Sequence, residues 1–345
     1  MKAAVFIKPG QVEIQDVPKP QIDGDNQALI HVVRASVCGS DLWWYRGVTS
    51  RPANSLVGHE AIGVIEEVSS DVHNFHPGDF VVVPFTHGCG HCVACLNGFE
   101  GNCLNQKPGG NGGYQAEFMK YEPADSGLVK IPGNPKDYTD GQLASLQTLS
   151  DVMATGFHAA KSAEIKAGAT VAVIGDGAVG LCGIIGAQLL GAEKIILLSH
   201  HEDRAKLGSQ FGATDIVSTK GDQAVKNVLA LTKENAGANA VLECVGAASA
   251  IEQAGQIARP GAIIGRVGVP QTEPKSNQMF WKNIGLRGGI ASVTKPDKDI
   301  LLQAVLDGKI NSGKVFTKTF DLDHIEDAYE AMSNREAIKS LLIIK

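Results

Sequence analysis

Read along its length, the chain changes period near residue 142. Before that point the apolar positions come in short β-type runs broken by Pro, Gly and Asp: AAVFI (3–7), VEIQDV (12–17), ALIHVVRASV (28–37), SLVGHEAIGVIEEVSS (55–70) and HPGDFVVVPF (76–85). A metal-rich interruption follows, and β pattern returns over 114–131. From QLASLQTLSDVMATGFHAAKSA (142–163) the period becomes helical. Residues 171–290 then alternate. VAVIG precedes a helix over 178–190, IILLS one over 202–211, DIVS one over 222–233, and AVLECV one near 248–258; AIIGRVG and GLRGGI close the series. Short β-branched runs alternating with helices predict a parallel sheet covered on both faces. The last fifty residues predict helices and one final strand, KSLLIIK, packing back on the first domain. The expected division is 1–150, 151–292 and a returning segment 293–345.

The length of 345 residues fits two domains, and an apolar share of 43% suits a folded globular chain. A net charge of −6 offers no basic footprint for nucleic acid or an anionic membrane. No run of about 18 apolar residues is present, and Pro9 and Gly10 interrupt the start where a signal peptide needs its apolar core. A cytoplasmic location is therefore expected.

Chemistry enters first through GCGHCVACLNGFEGNC. Cys89, Cys92, Cys95 and Cys103 stand at C-x2-C-x2-C-x7-C. Four thiols with no vacant position describe a structural zinc site. Disulfides are the alternative, and the chain lacks the marks of a secreted protein that would favour them.

VAVIGDGAVG places Gly175, Asp176, Gly177, Ala178, Val179 and Gly180 between a strand and a helix. In that setting G-x-G-x-x-G cradles a dinucleotide pyrophosphate at the helix N-terminus. About 20 residues further on, an NAD site carries an acid for the ribose hydroxyls. Here Ser199 ends the strand, and Ser199, His200, His201 and Arg204 would accept a 2′-phosphate, which points to NADP(H). Glu202 or Asp203 could instead supply the acid and leave NAD. Gly268, in the later strand region, is a further cofactor candidate.

Cys38, His59, Glu60 and Asp151 make a second donor group. Thiolate, imidazole and carboxylate suit zinc, and three ligands with an open position suit catalysis. Each also has a plain structural use: Cys38 as a small buried residue, His59 as a core hydrogen-bonder, the acids as cap or surface charge.

The motifs CGSD (38–41), GHExxG (58–63), PGDxV (77–81), the four-Cys lobe and GxGxxG (175–180), in that order, resemble the zinc-dependent medium-chain alcohol dehydrogenases over essentially the whole chain. GATDIV (212–217) and Asp151 resemble their NADP-dependent secondary-alcohol branch. The resemblance implies a GroES-like β-barrel catalytic domain, a Rossmann cofactor domain and an active-site cleft between them. It implies two zinc ions per chain, one held by Cys38, His59 and Asp151 with Glu60 beside it, and a homodimer or homotetramer. It gives Ser40 the role of handing on the substrate proton. It departs at Trp43, which stands at the usual position of a relay histidine. Trp43 and Trp44 are expected to wall the pocket, with simple core packing an equal alternative for Trp44. The activity implied is hydride transfer between NADP(H) and an alcohol, aldehyde or ketone. A polyol dehydrogenase shares every motif. A zinc protein that binds NADPH without turnover is the reading from another class.

Overall fold

The computed structural model describes residues 1–106, 112–271, 276–292 and 294–345. The chain divides into two units, Met1–Asp151 with Thr294–Lys345, and Val152–Val293.

The first unit is mostly β. The strand Ala28–Ser36 is its centre, pairing antiparallel with Ala61–Val68, with Phe118–Tyr121 and with the C-terminal strand Lys339–Ile343. The sheet continues from Ala61–Val68 through Phe80–Val83 to Val129–Ile131. Phe80–Val83 is buried at every position, whereas Ala61–Val68 ends in exposed Glu66 and Glu67. A smaller sheet joins Lys2–Lys8 to Gln11–Asp16 and Ser55–Leu56. Ile30, Val32, Ile65, Val81, Met119, Tyr329 and Leu342 share one apolar core, so residues from both ends of the chain fill the same space.

Several local expectations give way. The aromatic patch after Cys38 folds as a short helix, Asp41–Tyr45, which buries Leu42, Trp44 and Tyr45. Trp44 is a core residue and not a pocket wall: its ring lies 5.1 Å from Phe6 and 5.4 Å from Tyr329. Trp43 is half-buried. The β region 114–131 contains a turn of helix, Ala124–Gly127. The returning segment adds a strand, Phe316–Asp321, parallel to Lys339–Ile343.

The second unit is a six-stranded parallel sheet. Its order runs Asp215–Val217, Lys194–Leu198, Thr170–Ile174, Ala238–Glu243, Ala258–Arg266, Gly285–Gly288. The sequence order reverses between Thr170–Ile174 and Ala238–Glu243, the switch point at which doubly wound sheets bind ligands. Val171, Ala172 and Val173 are fully buried, as a strand covered on both faces must be. The helices Ala178–Leu189, Glu202–Gln210, Gly221–Ala230 and Ala248–Ile257 link the strands. A further short helix, Ser276–Trp281, precedes the last strand and has no counterpart in the sequence reading. Among the described residues no helix is long and apolar enough to cross a membrane.

Candidate active site and metal centres

Cys38 lies just beyond the central strand, where Val37 N–H still donates to the Ser340 carbonyl at 3.1 Å. Asp41 closes the turn, accepting from Cys38 N–H at 3.0 Å. The same carboxylate stands 3.6 Å from His59 Nδ1, so one residue of CGSD organises both the thiol and the imidazole. His59 and Glu60 precede the strand Ala61–Val68. Gly58 adopts φ +93°, and a Cβ there would lie 2.5 Å from Gln115 Cγ, so only glycine fits this approach. Asp151 occupies the break between the helices Asp140–Thr148 and Val152–Ser162. Phe85 N–H donates to the Ser150 carbonyl at 3.0 Å and anchors that break beside the sheet.

The result is a cluster. One donor atom each from Cys38, His59, Glu60 and Asp151 lies within 4.8 Å of the others. Cys38 Sγ is 3.3 Å from Asp151 Oδ2, which is 3.6 Å from His59 Nε2. Soft thiolate, imidazole and hard carboxylate at these separations fit one zinc ion. Burial, then the charges of Asp151 and Glu60, pushes the Cys38 thiol up to about 11. Burial opposes a charged His59, but Asp41, Asp151 and Cys38 outweigh it and raise its pKa well above 6.5. Asp151 is held below the ordinary carboxylate range: burial works against this, and His59 and Lys339 prevail. Without an ion the site therefore stores protons that a cation would displace. Ser40 is exposed beside the thiol, its N–H 3.5 Å from Cys38 Sγ.

Glu60 rests on partners that the motif reading missed. It is fully buried, and Lys339, also buried, donates to Glu60 Oε1 at 2.7 Å and to the Val37 carbonyl at 3.0 Å. The Ser36 hydroxyl donates to Glu60 Oε2, and Gln147 Nε2 donates to Ser36 Oγ at 2.9 Å. Burial pushes the Glu60 carboxyl up to about 7, with Lys339 pulling against it. Nothing in AIKSLLIIK marks the lysine. Its one available signal was a cation inside an apolar terminal strand.

The second thiol group also converges. Cys92 Sγ is 3.5 Å from Cys95 Sγ and 3.8 Å from Cys103 Sγ. A disulfide needs about 2.05 Å. A tetrahedral zinc with sulfur at about 2.3 Å has edges near ~3.8 Å. Backbone N–H groups of Cys89, Cys92 and Asn105 approach Cys103 Sγ or Cys89 Sγ at 3.3–3.4 Å, as stabilised thiolates require. Ser126 Oγ donates to the Gly88 carbonyl at 2.6 Å, and Lys298 pairs with Glu100 at 3.1 Å; these contacts tie the lobe to its unit.

In the parallel-sheet unit, Gly175 follows the strand Thr170–Ile174, Gly177 caps the helix Ala178–Leu189, and Ala178, Val179 and Gly180 form its first turn. A Cβ on Gly180 would lie 1.9 Å from the Gly175 carbonyl oxygen, whereas one on Gly177 would meet nothing within 4 Å. One glycine permits the tight turn and the other leaves room for a phosphate, so the loop fits a dinucleotide. Gly268 packs on the 245–246 backbone, where a Cβ would come within 2.1 Å of Gly246 N.

The phosphate-acceptor set forms only in part. Ser199, His201 and Arg204 all engage Asp176. His200 is not among them: its Nδ1 lies 2.8 Å from the Ser218 carbonyl oxygen, on the neighbouring strand's connection. Glu202 and Asp203 are exposed in the first turn of Glu202–Gln210, where the helix dipole favours acids.

A dinucleotide loop at a parallel-sheet switch point, with a Cys–His–carboxylate cluster in the other unit, defines a zinc-using nicotinamide oxidoreductase. Comparison with known proteins agrees. The family model described as "Alcohol dehydrogenase GroES-like domain" matches residues 24–133, and "Zinc-binding dehydrogenase" matches 178–295. The chain is 33% identical over 338 residues to a "probable zinc-binding alcohol dehydrogenase" of Mycobacterium tuberculosis, covering 95% of this chain and 84% of that one. It is 30% identical to the NADP-dependent isopropanol dehydrogenase of Clostridium beijerinckii, covering 94% of each. The solved structure of the alcohol dehydrogenase TADH from Thermus sp. ATN1 superposes with a TM-score of 0.90 at 29% identity over the full length of both chains. The chain belongs to the zinc-type alcohol dehydrogenases of the medium-chain dehydrogenase family, and is an NAD(P)-dependent alcohol oxidoreductase.

Proposed function

We propose that this enzyme interconverts a secondary alcohol and its ketone, with two zinc ions per chain. The observation that carries the reading is the Cys38–His59–Asp151 cluster, whose third donor is an aspartate, as the resemblance to the secondary-alcohol branch implies. The similarity to an isopropanol dehydrogenase supports the substrate class.

When bound, the catalytic zinc supplies Lewis acidity and the nicotinamide supplies the hydride-carrying ring. The chain's own residues prepare the site. Asp41 orients His59 so that Nε2 faces Asp151 and Cys38. Lys339 and Ser36 hold the Glu60 carboxylate, with Oε1 3.9 Å from His59 Nε2, so that it would stand beside a zinc ion held by Cys38, His59 and Asp151. The Ser40 hydroxyl, next to Cys38 and exposed, takes the hydrogen bond of the substrate oxygen and hands on its proton. Trp43 offers no imidazole for the next step of that path, so the proton leaves through Ser40 to cofactor hydroxyls or water. The lobe of Cys89, Cys92, Cys95 and Cys103 holds the second zinc as structure alone.

For the cofactor, Ser199, His201 and Arg204 by themselves suit NADP(H). The carboxylate of Asp176 among them suits NAD(H).

A panel of secondary alcohols, primary alcohols, polyols and ketones, each run with NADH or NADPH and their oxidised forms, tests the reading. The expected result is the highest kcat/KM on a small secondary alcohol–ketone pair. Preference for a polyol would replace that substrate class. Absence of turnover in chain carrying two zinc ions would favour a binding protein.

A further inference from the structure

The adenosine end of the cofactor site contains an acid in an unexpected place. Position 199 directly follows the strand Lys194–Leu198, where a dinucleotide fold that uses NAD normally supplies a carboxylate for the ribose hydroxyls. The residue there is Ser199, buried and uncharged. From across the glycine-rich turn, Asp176 reaches it: Ser199 Oγ donates to Asp176 Oδ2 at 2.7 Å. The missing carboxylate is thus present, within one hydrogen bond of the strand end, but carried by the loop. His201 Nδ1 donates to the same oxygen at 2.8 Å, and Arg204 Nη1 donates to Oδ1 at 3.3 Å. These three are the donors that would otherwise receive a 2′-phosphate. His201, Ser199 and Arg204 hold the Asp176 carboxyl below its ordinary range despite burial, so it is ionised at neutral pH.

Charge points the same way. With Glu202 and Asp203 on the adjoining turn, three carboxylates stand against one guanidinium in this short stretch. A 2′-phosphate adds up to two more negative charges and competes with Asp176 for every donor. A ribose with free hydroxyls instead finds in Asp176 an acceptor already fixed in place.

We propose that Asp176 selects the cofactor: its carboxylate accepts the adenosine ribose hydroxyls of NAD(H) and excludes the 2′-phosphate of NADP(H). The inference rests on the dinucleotide reading of the Gly175–Gly180 loop and reverses the preference that the residues of 199–204 suggest alone.

The test is binding to the full-length chain, independent of turnover. Calorimetry gives Kd for AMP and for adenosine 2′,5′-bisphosphate, and nicotinamide fluorescence gives Kd for NADH and NADPH. Wild type is expected to bind the forms lacking the 2′-phosphate at least tenfold more tightly. Asp176→Asn, which keeps the side-chain shape, should shift that ratio at least tenfold toward the 2′-phosphorylated forms by releasing His201 and Arg204. Adding Arg204→Met should cancel the gain. A wild-type preference for NADPH overturns the proposal even if the variants fail to fold, and so does an unchanged ratio in a folded Asp176→Asn or Asp176→Ser. Failure of wild type to bind either dinucleotide overturns the loop reading itself.

Discussion

At the residue scale the most consequential pair is Lys339 with Glu60, an amine and a carboxyl group almost wholly out of water and joined at 2.7 Å. Such a pair is weak evidence for net stability, because desolvation offsets the attraction. Removing one partner is different, since it strands the other charge in the interior. Lys339→Met should cost about 3–5 kcal/mol in chemical unfolding. The double variant with Glu60→Gln should recover a large part of that loss, because no unpaired charge remains. A Lys339→Met chain as stable as wild type would show that Glu60 is carried as a neutral acid. Glu60 is poised for either form, its carboxyl pushed up to about 7 by burial against the pull of Lys339. The serine and glutamine behind it, Ser36 and Gln147, keep its second oxygen aimed whichever form prevails.

At the element scale the thiol lobe is a segment with almost no apolar core of its own. Val93, Leu96, Phe99 and Leu104 are exposed, and its helix Val93–Leu96 spans a single turn. Propensity cannot hold so short a helix, and on the proposed reading the four sulfurs do so through a zinc ion. Cys95 is the ligand to remove, because it is buried at the centre of the cluster, and burial pushes its thiol up to about 12 in the absence of an ion. If the chain holds the two zinc ions proposed, Cys95→Ser should therefore reduce them to one and lower the melting temperature by at least about 5 °C. Elemental analysis and a thermal scan read both. A variant that still carries two zinc ions would return the lobe to an ordinary loop.

At the scale of the whole molecule the parallel sheet ends in an unpaired edge. The strand Gly285–Gly288 has a neighbour on one side only among the described residues, and Trp281 is 82% exposed and Phe280 73% just before it. Ile290 follows, also exposed. Open edges beside large apolar side chains are surfaces that proteins cover. A second copy of this chain would supply the same edge, and an isologous pairing would close it. Light scattering should then give at least twice the 36.3 kDa chain mass, and Trp281→Glu should shift it toward the single chain. A monomeric wild type would remove the idea.

Much of this was legible in residue order. Strand–loop–helix alternation specifies a parallel sheet because each period admits one way of burying its apolar face, whereas the order of its strands is decided by the pairing seen in the fold. The thiol spacing 89–103 is local enough for a short segment to close on one ion. The catalytic cluster is of another kind, since Cys38, His59–Glu60 and Asp151 are far apart in sequence and only the family resemblance linked them. Tertiary structure alone decided three things. It put Lys339, 279 residues beyond Glu60, beneath that carboxylate, because the last strand pairs with the central one. It turned Trp44 into the core and His200 toward Ser218. It brought Asp176 to Ser199 across 23 positions, through the parallel register of Thr170–Ile174 with Lys194–Leu198. A motif records which side chains are available, whereas partners chosen through sheet pairing depend on register, which no local stretch of sequence contains.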